Sequence, residues 1–210
     1  MSIVKNALKG SAKGLISTIP GGSLLISIVD EIQNGIFQER FDEWKETVEE
    51  RLGELEDSVI NELPRNELFA TVLLISAQLA LKTNKLKTRF LANAVANSAM
   101  TPLPEEHVII LLNCIEKYTL PHLKLLRFLQ NPKEHCAWED AIMGGLMSLY
   151  NNYYPERDKS LDRIITRDLY TDGLITTDSL FVTTTFNGTV EKKTTALGDE
   201  MIRFFGIEKI

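Results

Sequence analysis

The chain has 210 residues, 44% of them hydrophobic and 25% charged, with a formal net charge of -6. That length carries one large domain or two small ones, and the composition is that of an ordinary globular protein. The acidic balance argues against non-specific nucleic-acid binding, and the two cysteines, Cys114 and Cys136, do not make a disulfide framework, which points to a reducing, cytoplasmic setting.

The first element is a helix over residues 2–18. Val4, Leu8, Leu15 and Ile19 mark one face at helical spacing, and Lys5, Lys9 and Lys13 form an i,i+4 stripe beside it. Gly10 and Gly14 sit in a third sector of small residues and leave room for close backbone approach. From Gly14 to Val29 no residue is charged, but Pro20-Gly21-Gly22 breaks the run where a spanning helix would be continuous. Residues 1–30 therefore read as an amphipathic helical hairpin. It has two readings, burial in the fold or contact with a membrane surface or protein partner. On the second, the contact residues are Lys5, Lys9, Lys13, Leu15, Ile16, Ile19, Leu24 and Leu25.

A long acidic helix is expected over residues 31–63. Phe37, Phe41, Trp44, Val48, Leu52, Leu55, Val59 and Leu63 recur at steps of three and four, a coiled-coil-like seam closed by Pro64. The seam is satisfied inside a bundle or by a second copy of the chain, so Phe37, Phe41, Trp44, Val48, Leu52 and Leu55 are candidate oligomer contacts. Residues 30–67 hold thirteen acids and four bases, whereas 68–100 hold Lys82, Lys85, Lys87 and Arg89 and no acid. In one reading the acidic helix lies against the basic segments; in the other, the basic segments face anionic lipid or another chain.

Residues 66–131 continue as a helical bundle. Residues 66–82 are apolar almost all round, which suits a central helix. A helix over 85–100 follows, then Thr101-Pro102-Leu103-Pro104, a helix opened by Glu105 and Glu106, and another opened by Thr119 and Pro121. Domains are expected at 1–132 and 133–210. The second begins with helices over 135–151 and 158–171. The alternating run 180–186, Asn187-Gly188 and the run 189–195 then predict a β-hairpin, and a helix over 197–207 closes the chain.

The order of a helix, Asp172-Gly173-Leu174-Ile175, a hairpin and Thr194-Thr195-Ala196-Leu197-Gly198-Asp199 resembles the end of bacterial winged-helix domains. Residues 91–129 resemble a module of uncharacterised bacterial and phage helical proteins. The resemblance implies a mainly α fold: a helical bundle with a long amphipathic helix, followed by a small winged-helix-like α+β domain with one β-hairpin. A DNA-reading winged helix would use Arg163, Arg167, Lys192 and Lys193. Glu156, Asp158, Asp162 and Asp168 offset the helix cations, which favours a protein-contact role.

All five Cys and His residues lie between His107 and Cys136, at none of the usual zinc spacings. Phosphate-loop, dinucleotide, nucleophile-elbow and metalloprotease patterns are absent from the sequence. The sequence assigns no catalytic residue, no cofactor and no metal. Its leading reading is a non-enzymatic bacterial or phage interaction or regulatory protein, with parts such as defence- and toxin-like effectors carry. A protein partner or a second copy is expected, and a membrane surface is the alternative contact. A winged-helix transcription regulator is the runner-up.

Overall fold

A computed structural model describes residues 35–135, 138–181 and 185–209. The expected hairpin of residues 1–30, with all eight of its candidate contact residues, lies outside the described residues. Ten α-helices are found there. The chain divides into two compact units, one holding residues 35–116 with Phe204–Gly206, the other residues 117–203 and 207–209.

The first unit is helical. α1 (Gly35–Gly53) packs on α3 (Glu67–Lys82) and α4 (Lys85–Ser98), and α3 packs on α4. The apolar positions of α1 explain this. Phe41, Trp44, Val48 and Leu52 are buried, and the Trp44 indole donates to Ser76 Oγ at 2.8 Å, which in turn donates to the Leu91 carbonyl at 3.1 Å. A buried indole N–H and a buried hydroxyl are thereby both satisfied. Asn66 caps α3 and Asn84 caps α4 through side-chain oxygens that accept from Phe69 N–H and Lys87 N–H. α5 (Glu105–Lys117) follows, with Val108, Leu111, Leu112 and Ile115 buried.

The single helix expected over 31–63 is two helices. α1 ends at Gly53, and α2 is Asp57–Glu62. Glycine costs a helix about 1 kcal/mol relative to alanine. The chain tightens past it into i→i+3 bonds, Glu54 N–H to the Arg51 carbonyl and Leu55 N–H to the Leu52 carbonyl. The break shifts the phase of burial, so Ile60 rather than Val59 is fully buried before Leu63.

In the second unit α6 (Leu120–Gln130) packs on α8 (Asp162–Thr171) and α7 (Trp138–Tyr153), and α7 lies against α9 (Phe186–Val190). α7 kinks at Gly145, whose φ of 63° and ψ of -171° suit glycine. α8 stops at Gly173 (φ 75°): Leu174 N–H bonds the Leu169 carbonyl and Gly173 N–H the Tyr170 carbonyl, a Schellman turn that buries Leu174.

The expected β-hairpin, and with it the winged-helix-like α+β domain, is not found: there is no β-strand among the described residues. Residues 182–184 of the first expected strand lie outside them. Asn187-Gly188 would need positive φ at both positions to make the hairpin turn, yet neither has it. Thr185 instead caps a helical turn, its Oγ1 accepting from Gly188 N–H at 3.2 Å and its carbonyl from Thr189 N–H at 2.9 Å. The return segment pairs elsewhere. Thr176 N–H bonds the Lys193 carbonyl, Thr195 N–H bonds the Leu174 carbonyl, and Ile175 and Thr194 form an isolated antiparallel bridge. α10 (Ala196–Phe205) then starts on Thr195, whose Oγ1 accepts from Gly198 N–H. The fold is mainly α.

Candidate functional site

The seam residues come first. Phe41, Trp44, Val48 and Leu52 face α3 and α4, Phe37 is partly exposed and Leu55 is half-buried. α1 runs antiparallel to α3: Trp44 meets Ser76, and one helical turn earlier the Arg40 guanidinium donates to the Leu81 carbonyl at 3.3 Å. Lys85 Nζ lies 3.6 Å from Glu43 Oε2, so the start of α4 is at this end as well. The beginning of α1 therefore lies where Lys82, Lys85 and Lys87 gather, and the chain enters the described fold there. Lys82 and Lys85 are exposed. Lys87 is half-buried and its Nζ donates to the Glu116 carbonyl at 3.0 Å; burial pushes its ammonium below the ordinary lysine value, and the Glu116 charge pushes it back up. α4 has no acid in its first turn, where the helix dipole favours one. Beside these lysines is a cavity of about 80 Å³ floored by Leu79, Leu91 and Ile115.

The second unit holds a buried ion pair that the sequence did not single out. Arg157 Nε and Nη2 each donate to Asp162, both at 2.8 Å, with side-chain exposures of 1% and 6%. The remaining donors reach the Tyr154 carbonyl at 2.9 Å and Asn151 Oδ1 at 2.8 Å, and the guanidinium lies 4.2 Å from the Tyr150 ring centroid. The Tyr150 hydroxyl is buried without a hydrogen bond. Burial pushes this phenol far above its ordinary value, against the pull of Arg157. Tyr150, Tyr153, Phe128 and His135 form an aromatic cluster, in which His135 and Tyr153 are 4.3 Å apart. Next to the ion pair, between the start of α8 and residues 178–181, is a cavity of about 490 Å³.

A second polar cluster fastens the α6 start to the α8 end. Asp172 Oδ2 accepts from the Tyr118 hydroxyl at 2.6 Å and from Lys117 Nζ at 2.9 Å. The His122 ring stacks on Tyr118, accepts from Thr119 N–H at Nδ1, and places Nε2 3.6 Å from Asp168. In the neutral ring the proton is then on Nε2, facing the carboxylate.

Arg163 and Arg167, expected on a DNA-reading face, are exposed. Lys192 pairs with Asp199, and Lys193 is buried, its Nζ donating to the Gly188 carbonyl at 2.7 Å. Among the histidines and cysteines, His107 is exposed and Cys114 buried, and Cys136 lies outside the described residues. Among the described residues no group of His, Cys, Asp and Glu could hold a metal ion, and no helix is long and apolar enough to cross a membrane. No protein-family model, curated protein or solved structure matches this chain.

Proposed function

We propose that this chain is a non-enzymatic bacterial or phage interaction protein that associates with an anionic membrane surface through its N-terminal segment. The observation that carries the reading is the placement of Gly35. The chain enters the first unit at the end that holds Lys82, Lys85 and Lys87. The residues before it contribute Lys5, Lys9 and Lys13 and the uncharged run from Gly14 to Val29. A basic apolar segment joined to a basic end is the pattern that an anionic lipid surface attracts, at about 1 kcal/mol per nearby cation. Five exposed or N-terminal lysines would supply about 5 kcal/mol at low salt, less at physiological ionic strength.

Vesicle flotation tests it. The full chain is expected to float with vesicles containing phosphatidylglycerol, to release as salt is raised, and to ignore pure phosphatidylcholine. The Lys5→Glu, Lys9→Glu, Lys13→Glu triple variant should lose most of the binding. A full chain that stays in the bottom fraction with anionic vesicles at low salt would sink the proposal.

A further inference from the structure

The cavity of about 490 Å³ in the second unit is within the range of small-ligand sites. It is distant in kind from the lysine-rich end of the first unit, and the membrane reading makes no use of it. One wall is the first turns of α8, with Asp162, Arg163 and Thr166. That wall is held from behind. Both Asp162 oxygens are taken by Arg157, and the Thr166 hydroxyl donates to the Asp162 carbonyl at 2.7 Å. The facing wall is Asp178, Leu180 and Phe181. It too is held locally: the Thr177 hydroxyl donates to the Ser179 carbonyl at 2.7 Å, and Ser179 Oγ accepts from Phe181 N–H at 3.0 Å. Met147 adds apolar surface, and its sulfur accepts from Arg157.

The charges left for a ligand follow from this accounting. The Asp162 carboxylate is consumed by a bidentate pair. Arg163 and Asp178 are both exposed, and their side chains make no hydrogen bond or ion pair among the described residues. One cavity thus carries a free guanidinium and a free carboxylate that do not meet each other. Beside them the Phe181 ring is 78% exposed, the most exposed large apolar side chain described. A guanidinium takes a carboxylate through two parallel hydrogen bonds, a carboxylate takes an ammonium, and an exposed ring takes apolar surface. The ligand that satisfies all three has separated opposite charges and an apolar body.

We infer that this cavity binds an apolar zwitterion of the α-amino acid or short-peptide class. Arg163 takes its carboxylate, Asp178 its ammonium, and Phe181, Leu180 and Met147 its side chain.

Amide NMR on the full chain tests this with L-phenylalanine and L-leucyl-L-phenylalanine as probes, each also in N-acetylated and C-amidated form. The zwitterions are expected to shift the amides of Arg163, Thr166, Ser179 and Phe181 at millimolar concentration. Each blocked form should bind about tenfold more weakly or worse, because one charge-assisted contact is gone. Arg163→Gln should weaken the free probes about tenfold and leave the amidated ones unchanged; Asp178→Asn should do the same for the N-acetylated ones. Both positions are exposed, so these variants keep the fold, which an otherwise unchanged spectrum checks. The inference is overturned if no probe shifts those amides up to about 10 mM, or if blocked and free forms bind alike. Vesicle binding is read separately, so either proposal can fail without the other.

Discussion

Arg157 offers the sharpest test of how the second unit is held together. Its guanidinium and the Asp162 carboxylate are almost completely removed from water, at 1% and 6% exposure, and meet in two contacts of 2.8 Å. Desolvating two ions is expensive, so the intact pair adds little net stability over apolar residues of equal volume. Breaking it is different. Asp162→Asn leaves a buried guanidinium facing a neutral amide, with only the Tyr154 carbonyl, Asn151 and Met147 to hold it. Arg157→Leu leaves a buried carboxylate that is also the first residue of α8. Each single change is expected to destabilise by about 3–5 kcal/mol. Replacing both together, Arg157→Met with Asp162→Leu, should cost far less than the sum. Urea unfolding followed by near-ultraviolet circular dichroism, which reports the tyrosine cluster around Tyr150, measures all three. Single variants that lose under about 1 kcal/mol, or a double variant that loses the sum of the singles, would refute the assignment of a desolvated, coupled pair.

Two other predictions concern the same unit. At Gly198 an added Cβ would sit 2.1 Å from the Leu174 carbonyl oxygen and 3.3 Å from Thr194 Cβ, and backbone cannot move aside cheaply. Gly198→Ala should therefore cost about 2 kcal/mol or more, part the Ile175–Thr194 bridge, and speed amide exchange at Thr195. Acid should loosen the unit in two windows. Burial, helped by Arg127 and opposed by Glu134, holds the His135 ring below its ordinary 6.5, so the unfolded chain takes up the proton first and stability falls as pH drops below 6.5. Burial pushes the Asp199 carboxyl up, but hydrogen bonds from Lys192 and Thr194 outweigh it and hold the group below 3.8. Its contribution is present above 3.8 and is lost as pH falls through the folded value. Unfolding midpoints against pH should lose the first slope in His135→Phe and the second in Asp199→Asn.

What was legible in the sequence was what local physics decides alone. The all-round apolar character of residues 66–82 gave a helix with most of its surface covered, and Phe41, Trp44, Val48 and Leu52 went inside at the spacing they show. Asp172-Gly173-Leu174-Ile175 and Thr194 to Gly198 do meet, since Gly198 has no Cβ and admits the Leu174 carbonyl. What failed was decided by competition. Asn187-Gly188 is a strong turn signal, but Thr185 two residues earlier offers a helix cap, and the buried Thr189 rewards the helical turn. The domain boundary expected after residue 132 differs from the division after Glu116 because α6 packs on α8, a pairing 40 residues apart that no local pattern announces. Arg157 looked like one more cation in a mixed-charge stretch. Only burial against Tyr150 and Asp162 distinguishes it from Arg163 and Arg167.

The uneven charge along the chain had two readings, internal neutralisation or outward display, and the geometry of the first unit makes them separable. α1 does pack on the lysine-bearing α4, as neutralisation requires. Yet Lys85 reaches Glu43 only at 3.6 Å with 85% of its side chain exposed, a geometry worth about 0–1 kcal/mol. Its position in the first turn of α4 sets a cation against the positive end of the helix, an unfavourable placement of about 0.3–1 kcal/mol. The two terms nearly cancel. Lys85→Gln should therefore leave the unfolding free energy within about 0.5 kcal/mol of the parent while weakening flotation with anionic vesicles. A fall in stability above about 1 kcal/mol with flotation unchanged would make Lys85 a device of the fold, and the basic end of the first unit would then serve the acidic helix beside it instead of a surface outside.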